Sequence, residues 1–141
     1  MKHRVWALLC LLSAAAARPA EAQSGAGAVA RFAVVIGNNQ PETTQGSVLR
    51  YADDDAVATH RLLVEAGVDS TLLVRLDDDS RALYPNIGEH GRARSQELDR
   101  AFERAFTNIR KSTESGRRAE LLIFYSGHGD VDQGEGYVVL E

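Results

Sequence analysis

The sequence has 141 residues, of which 44% are hydrophobic and 26% are charged, and its formal net charge is −4. This composition is typical of one globular domain and excludes a collagen-like, coiled-coil or disordered chain. The surplus of acidic residues argues against nucleic acid as a partner, because phosphate binding needs a basic surface.

The first 22 residues have the pattern of a secretory signal peptide. A basic start precedes an apolar stretch at residues 5–17, and Ala20-Glu21-Ala22 is a small-x-small cleavage site. The alternative is a retained membrane anchor, for which the apolar stretch is short. Cleavage would remove Cys10, the single cysteine, and leave 13 basic and 19 acidic side chains. We therefore expect a secreted or periplasmic protein with no disulfide and no membrane contact after cleavage.

The rest of the chain alternates between apolar runs and amphipathic stretches. Residues 23–30 are small and flexible and form a predicted linker, so the folded domain is predicted at residues 31–141. The first predicted helix has acids at its start and Gly67 as a left-handed cap at its end. The predicted elements are a strand at 32–36, a helix at 53–66, a strand at 70–76, an irregular loop at 80–94, a helix at 95–111 capped by Ser95, a strand at 121–125 and a fourth strand within 136–141.

Strands that are apolar almost throughout indicate a parallel sheet covered on both faces. The predicted fold is therefore a three-layer α/β sandwich with a mostly parallel sheet. Functional sites in such sheets form at the carboxyl ends of the strands. Residues 37–39, 77–79 and 126–129 all fall at that edge, which makes it the place to look for chemistry.

His128 is the strongest candidate for chemistry at this edge. Its imidazole can act as a general acid or base near neutral pH, and the glycines beside it let backbone N–H groups approach a substrate oxygen. The alternative is a histidine that caps a turn. Ser126 lacks the Gly-x-Ser-x-Gly setting of a serine nucleophile, so its simpler role is to hydrogen-bond the loop.

The acidic runs have structural and functional interpretations. Residues 53–55 could bind a cation or a basic substrate group, but acids at a helix start are more often capping residues. Residues 77–79 could offer oxygen ligands to calcium, although their spacing is not that of an EF-hand and a solvated loop is the simpler interpretation. His60 and His90 need only surface or packing roles.

Three stretches together resemble a known family. RFAVVIGNN, LRYADDDA and LLIFYSGHGD occur in the order found in caspase-like cysteine peptidases, particularly the bacterial metacaspase-like or orthocaspase branch. The resemblance covers about residues 31–141, which would be the amino-terminal, large-subunit part of the family's domain. It implies a caspase-like α/β fold and cleavage of peptide or protein substrates by a Cys/His dyad, without a cofactor.

The resemblance also implies roles for four residues. His128 would be the catalytic histidine, and the N–H of Gly129 would belong to the oxyanion hole. Ser126 would line the pocket for the residue before the scissile bond, where the carboxylate of Asp55 would face a basic side chain. Specificity for Arg or Lys is therefore expected, because a carboxylate pairs well with a guanidinium. No arginine pair stands out for an acidic substrate.

One part of the family pattern is absent from the sequence. The family's nucleophilic cysteine follows the histidine by roughly 50 residues, yet no cysteine follows Cys10. We therefore expect a fragment truncated after about four strands, inactive alone, whose partner is the missing carboxy-terminal part of the same domain. Its unpaired apolar edge predicts poor solubility.

Two other classes of protein remain open. One is a non-catalytic binding or signalling module that keeps the fold without the dyad. The other is a flavodoxin-like receiver or nucleotide-binding domain, which fits the alternating pattern but lacks a glycine loop for phosphate.

Overall fold

The computed structural model describes residues 29–41 and 46–141. The predicted signal peptide lies outside these residues, as does most of the predicted linker. The linker's last two residues belong to the first strand, which begins at Val29. Among the described residues, no helix is both long enough and apolar enough to cross a membrane.

The elements follow the predicted alternation of strands and helices, with a hairpin at the end. They are β1 (Val29–Asn38), α1 (Ala52–Glu65), β2 (Asp69–Val74), α2 (Asp78–Leu83), α3 (Ser95–Glu114), β3 (Arg118–Gly127), β4 (Gly129–Asp132) and β5 (Glu135–Val138).

The central sheet is parallel, as predicted, and has the strand order β2-β1-β3. β1 therefore lies in the middle, and the chain crosses to one side of it through α1 and then back to the other side through α3. Right-handed crossovers in opposite directions place the two helices on opposite faces of the sheet. The predicted α/β class with helices on both faces is confirmed.

The side chains of β1 alternate between two apolar cores. Ala33 and Val35 pack toward α1, whereas Val34 and Ile36 pack toward α3. Because successive side chains of a strand point to opposite faces, a strand buried on both faces must be apolar at nearly every position. Burying each Val or Ile side chain in this way stabilises the fold by about 1.5–3 kcal/mol.

Both long helices end with the same glycine motif. Gly67 and Gly116 have φ angles of 78° and 81°, which an L side chain rarely adopts. After α1, Gly67 N–H donates to Val64 O at 2.9 Å and Val68 N–H donates to Leu63 O at 2.9 Å. This is the Schellman arrangement, and it confirms the predicted cap at Gly67.

The predicted irregular loop at 80–94 is more ordered than its sequence indicates. Its first residues, 80–83, belong to α2. The side chain of Asp77 caps this helix by accepting a hydrogen bond from Ser80 N–H at 2.8 Å. Farther on, Gly91 pairs with the outer edge of β2 at Leu73. A Cβ at position 91 would lie 2.7 Å from Leu73 Cδ2, so the Leu73 side chain would have to shift to admit one.

The prediction that Ser95 caps α3 is wrong. Arg94 is the N-cap residue and makes no side-chain capping bond, while Ser95 is already helical. The glutamate in the first turn, Glu97, instead accepts a hydrogen bond from Arg92 N–H at 2.6 Å, which joins the helix start to the preceding loop.

The fourth predicted strand does not join the parallel sheet. β5 pairs with β4 in a separate antiparallel hairpin. Gln133 and Gly134 at its tip have φ angles of 50° and 86°. Two consecutive positive φ values define the type I′ turn, whose twist suits a two-residue hairpin and returns the chain at once. β3 is therefore the outer strand, and Ile123 on it is 60% exposed.

Candidate functional site

The carboxyl ends of the parallel strands bring the predicted functional segments together. Gly37 of β1 lies opposite Ser126 of β3, and Asn38 lies opposite Gly127. β2 ends on the other side of β1 and leads directly to Asp77. The segment at the end of β1 therefore lies in the middle of this edge, beside residues 126–129, and the segment that follows β2 lies on its other side.

The three aspartates at the start of α1 contact three different elements. Asp53 bonds to the segments that follow β1 and β2, Asp54 accepts from Ser80 Oγ of α2 at 2.9 Å, and Asp55 accepts from Ser126 Oγ of β3 at 3.2 Å. Successive residues of a helix project about 100° apart, so one turn can reach all three neighbours. The aspartate run therefore joins α1 to the whole carboxyl edge.

The capping role predicted for these aspartates is shared with a residue outside the helix. Tyr51 is the N-cap residue of α1 and makes no side-chain capping bond. Asn39 Oδ1 accepts from Ala52 N–H at 2.8 Å and, at 3.4 Å, from Asp53 N–H. Asp53 Oδ1 accepts from Asp54 N–H at 3.0 Å. An amide from the end of β1 and one of the aspartates thus satisfy the free N–H groups in the first turn of α1.

Asp53 is completely buried and fully bonded. One carboxylate oxygen accepts from Asn39 Nδ2 at 2.7 Å and from Asp54 N–H at 3.0 Å, and the other accepts from Asp77 N–H at 3.1 Å. A buried carboxylate is tolerated only when its oxygens are satisfied in this way. We call Asn39, Asp53 and Asp77 the buried network; it fixes α1 against the ends of β1 and β2.

Asp55 and Ser126 meet at the surface, and the substrate pocket expected there stays a prediction. The hydroxyl of Ser126 donates to Asp55 Oδ2, and the carboxylate of Asp55 is exposed. The carboxylate keeps acceptor positions beyond the one that Ser126 uses. A cationic group can therefore bind here without the loss of an existing ion pair among the described residues.

His128 follows β3 and precedes β4, so it lies at the junction between the sheet and the hairpin. Its ring nitrogen Nε2 is buried and has no hydrogen-bond partner in the part of the chain that the structure describes. Its carbonyl oxygen accepts from Val139 N–H at 2.9 Å and from the hydroxyl of Tyr125 at 2.6 Å. The backbone of His128 is held by these two bonds, and the residue is partly buried.

The hairpin register gives the direction of the Gly129 N–H group. Antiparallel pairs alternate between hydrogen-bonded and non-hydrogen-bonded positions, and the pair that closes a two-residue turn is hydrogen-bonded. Asp132 and Glu135 close this turn, so the alternation makes Gly129 and Val138 a non-hydrogen-bonded pair. The N–H of Gly129 therefore points away from β5 and can donate to a ligand.

A second charged cluster at the carboxyl edge was missed by the sequence analysis. Arg92 binds both carboxylate oxygens of Glu141 at 2.7 Å, and Arg75 and Arg94 each lie 3.5 Å from it. The Glu141 side chain is only 5% exposed, so the arginines already hold a carboxylate of the chain itself. The expectation that no arginine pair stands out for an acidic substrate therefore stays a prediction. Arg75 follows β2, across β1 from Ser126.

The remaining candidates have structural roles. His60 Nδ1 contacts Ser70 Oγ at 2.9 Å, and burial lowers the pKa of His60, which favours the neutral ring. His90 is exposed and bonds to Gly88 O at 3.1 Å. Asp77 caps α2, and that hydrogen bond from Ser80 N–H lowers the pKa of Asp77. Among the described residues, no three His, Cys, Asp or Glu side chains converge as metal ligands.

A sizeable cleft in the described part of the chain lies elsewhere. It measures about 450 Å³ and lies between the outer edge of β2, the loop at Gly91 and α3. Because β1 separates β2 from β3, this cleft is on the far side of the sheet's centre from His128. The chemistry of the carboxyl edge, and not cleft size, identifies the candidate site.

Comparison with known proteins finds one match, to the model of a protein family. The model of the caspase domain family, peptidase family C14, matches residues 30–140. No curated protein and no solved structure matches the chain. The matched region contains the whole parallel sheet, both covering helices and the His128 segment. On this match, which spans most of its length, the chain belongs to the caspase domain family.

Proposed function

We propose that the chain is the histidine-bearing part of a caspase-like cysteine endopeptidase that cleaves after Arg or Lys. The observation that carries the proposal is the contact between Asp55 of α1 and Ser126 of β3, two residues before His128. The exposed carboxylate of Asp55 contacts the strand that leads to His128, and a carboxylate at this place is suited to hold a basic side chain near the bond to be broken.

The proposed reaction uses His128 as the general base and later as the general acid. His128 takes the proton of a cysteine thiol, and the thiolate attacks the carbonyl carbon of the scissile bond. The negative charge that develops on the carbonyl oxygen is met by Gly129 N–H. The proton on His128 then passes to the leaving amine, and water hydrolyses the acyl-enzyme.

The attacking thiol is the part of this reaction that the described residues do not supply. Residues 29–141 contain no cysteine, and Cys10 precedes them. We propose that a segment outside them carries the nucleophile, as in the metacaspase-like branch. Reading the gene beyond codon 141 tests this directly: a strand followed by Cys-Gly supports it, and a stop codon would eliminate the active-enzyme form.

Binding of an arginine side chain can be tested on the chain itself. We expect Nα-acetyl-arginine methylamide to bind with a Kd of about 1–10 mM, since a single exposed ion pair contributes little. The binding should shift the NMR signals of Ser126 and disappear in Asp55→Asn. The matched control is Asp79→Asn, an exposed aspartate in the first turn of α2. Equal binding of the uncharged citrulline analogue would contradict the proposal.

A second candidate function follows from the same absence of cysteine. A non-catalytic binding module of this family would keep the Asp55 and Ser126 contact without the dyad. It predicts that the complete gene product binds arginine peptides but cleaves neither Arg, Lys nor Asp peptides. Cleavage that iodoacetamide stops and that His128→Ala abolishes would decide for the peptidase.

We also propose that the protein is exported, on the basis of the signal-peptide pattern at residues 1–22. Export predicts a mature protein that begins at Gln23. Amino-terminal sequencing of the protein from its natural source tests this prediction, and a retained Met1 would contradict it.

A further inference from the structure

The backbone on both sides of the hairpin is fastened to the sheet by side chains. Tyr125 Oη lies 2.6 Å from His128 O and 2.7 Å from Val139 O. Asn38 Nδ2 lies 2.9 Å from the same Val139 oxygen and 3.0 Å from Gln40 O. The two side chains, from the ends of β3 and β1, thus hold the residues just before and just after the hairpin.

The donors and acceptors of this group balance. A tyrosine hydroxyl has one proton and an asparagine amide has two. Asn38 Nδ2 can therefore serve Gln40 O and Val139 O, which leaves the Tyr125 proton for His128 O. Burial raises the pKa of Tyr125, so its hydroxyl stays protonated and remains a donor well into the alkaline range.

Gly127 is the residue that admits the hydroxyl. A Cβ at position 127 would lie 2.4 Å from Tyr125 Oη and 3.0 Å from Asn38 O. No side chain fits those distances without displacing Tyr125. The φ of Gly127 is not positive, so its glycine is required by this close approach and not by backbone conformation.

We infer that Tyr125 and Asn38 are positioning residues for His128, and that Gly127 is glycine to make room for the Tyr125 hydroxyl. Their role as positioning residues in catalysis rests on the proposed function, in which His128 is the base. The hydrogen bonds by which they fix the backbone at His128 and Val139 are independent of that function. We call the bonds from Tyr125 and Asn38 the clamp. Because the imidazole and the Gly129 N–H belong to one short segment, the clamp positions both groups relative to the sheet.

The effect of the clamp can be measured by the NMR signals of the His128 ring, without any enzymatic activity. In the full chain with isotope-labelled histidine, His128→Gln assigns the ring signals, and Tyr125→Phe removes only the clamping hydroxyl. We expect the His128 ring signals to move toward those of the exposed His90 and the Val139 amide to exchange about fivefold to tenfold faster, as for one lost hydrogen bond. Tyr84→Phe, a tyrosine that packs on the α1 side of the sheet, is the matched control and should change neither.

Two further measurements decide the matter if Tyr125→Phe does not fold. Gly127→Ala should disturb the His128 signals in the same way, whereas Gly136→Ala, where an added Cβ meets nothing within 4 Å, should not. In the unmodified chain, the Val139 amide should exchange more slowly than the amide of Asp130, which belongs to the hydrogen-bonded pair of Asp130 and Tyr137 in the exposed hairpin. Exchange at equal rates would overturn the inference with no variant needed.

These outcomes separate the clamp from the proposed function. If the ring signals move but no form of the protein cleaves peptides, the clamp stands and the peptidase proposal fails. If Tyr125→Phe leaves the His128 ring and the Val139 amide unchanged, the clamp is wrong, whatever the protein cleaves.

Discussion

Two regions at the carboxyl edge hold the proposed substrate-binding and catalytic groups, and they are built differently. The buried network of Asn39, Asp53 and Asp77 supports the helix that carries Asp55, and Asp53 is wholly shielded from solvent. His128 instead leads into a hairpin in which every residue of β4 and β5 is exposed. A few side-chain bonds to the backbone hold that hairpin to the sheet.

This difference in burial indicates which part of the site has the higher local stability. Local stability follows buried apolar contacts and protected hydrogen bonds. Asp55 therefore lies on a helix, α1, that opens only when the domain unfolds. His128 instead adjoins the hairpin of β4 and β5, which can open alone. Changes to the buried network should affect global unfolding, and changes near the hairpin should act locally.

Loss of the Asp53 carboxylate is expected to have the largest effect. Asp53→Ala would leave the buried Asn39 Nδ2 without an acceptor and would remove the acceptor of the Asp77 N–H group. The free energy of unfolding should therefore fall by about 3–5 kcal/mol, as for several lost hydrogen bonds to a charged group. Urea unfolding followed by circular dichroism measures this. The control Asp79→Ala, at an exposed position, should change it by less than about 0.5 kcal/mol. Similar losses for both variants would remove the distinction between the buried network and the surface acids.

A pair of glycine substitutions compares the two regions directly. At Gly37 of β1, a Cβ would lie 2.6 Å from Ala52 O and 2.7 Å from Ala56 Cβ, both in α1. Gly37→Ala should therefore cost about 2–3 kcal/mol of unfolding free energy by overpacking. Gly136→Ala in β5 should cost less than about 0.5 kcal/mol. A hairpin variant as damaging as the β1 variant would show that the hairpin is part of the core.

The smallest expected effect is a pH dependence at the end of the hairpin segment. Burial alone would raise the pKa of Glu141, but the hydrogen bonds from Arg92 and the charges of the surrounding arginines lower it below its ordinary value of 4.5. A lowered folded-state pKa means that the stabilisation is complete above the ordinary value and is lost as the pH falls through the folded-state pKa.

Glu141→Gln tests this sign. At about pH 7 the variant should be less stable than the unmodified chain by about 1–2 kcal/mol, as for a charge-assisted hydrogen bond. The difference between the two should vanish as the pH falls through the folded-state pKa of Glu141, because the glutamate then becomes protonated. Glu135→Gln, at an exposed position of β5, should match the unmodified chain at neutral and at acidic pH. A gap between Glu141→Gln and the unmodified chain that persists in acid would refute the ion-pair explanation.

The sheet and its covering helices were predictable because they depend on local pattern. Val34 and Val35 in succession indicate burial on both faces, and Gly67 marks a helix end by a conformation that other residues avoid. The caspase-like resemblance was also readable, since the residues around His128 carry it in one short stretch.

The tertiary side-chain bonds were not predictable in the same way. Nothing in the sequence near α1 indicates that its cap comes from Asn39, 13 residues before Ala52. The aspartates at 53–55 look equivalent in sequence, yet only Asp53 is buried. The hairpin was missed because Gln133-Gly134 is a weaker type I′ signal than Asn-Gly or Asp-Gly. In each case the fold, and not the local pattern, assigns the partner.

The positions of the two residues that attach the hairpin to the sheet have a practical consequence for engineering the protein. Both lie at its base, at His128 and Val139, while Gln133 and Gly134 form the turn at its tip. A surface loop whose tip makes no contact with the core tolerates insertion. A peptide tag or fluorescent label placed between Gln133 and Gly134 should therefore report on the histidine segment while the parallel sheet keeps its structure.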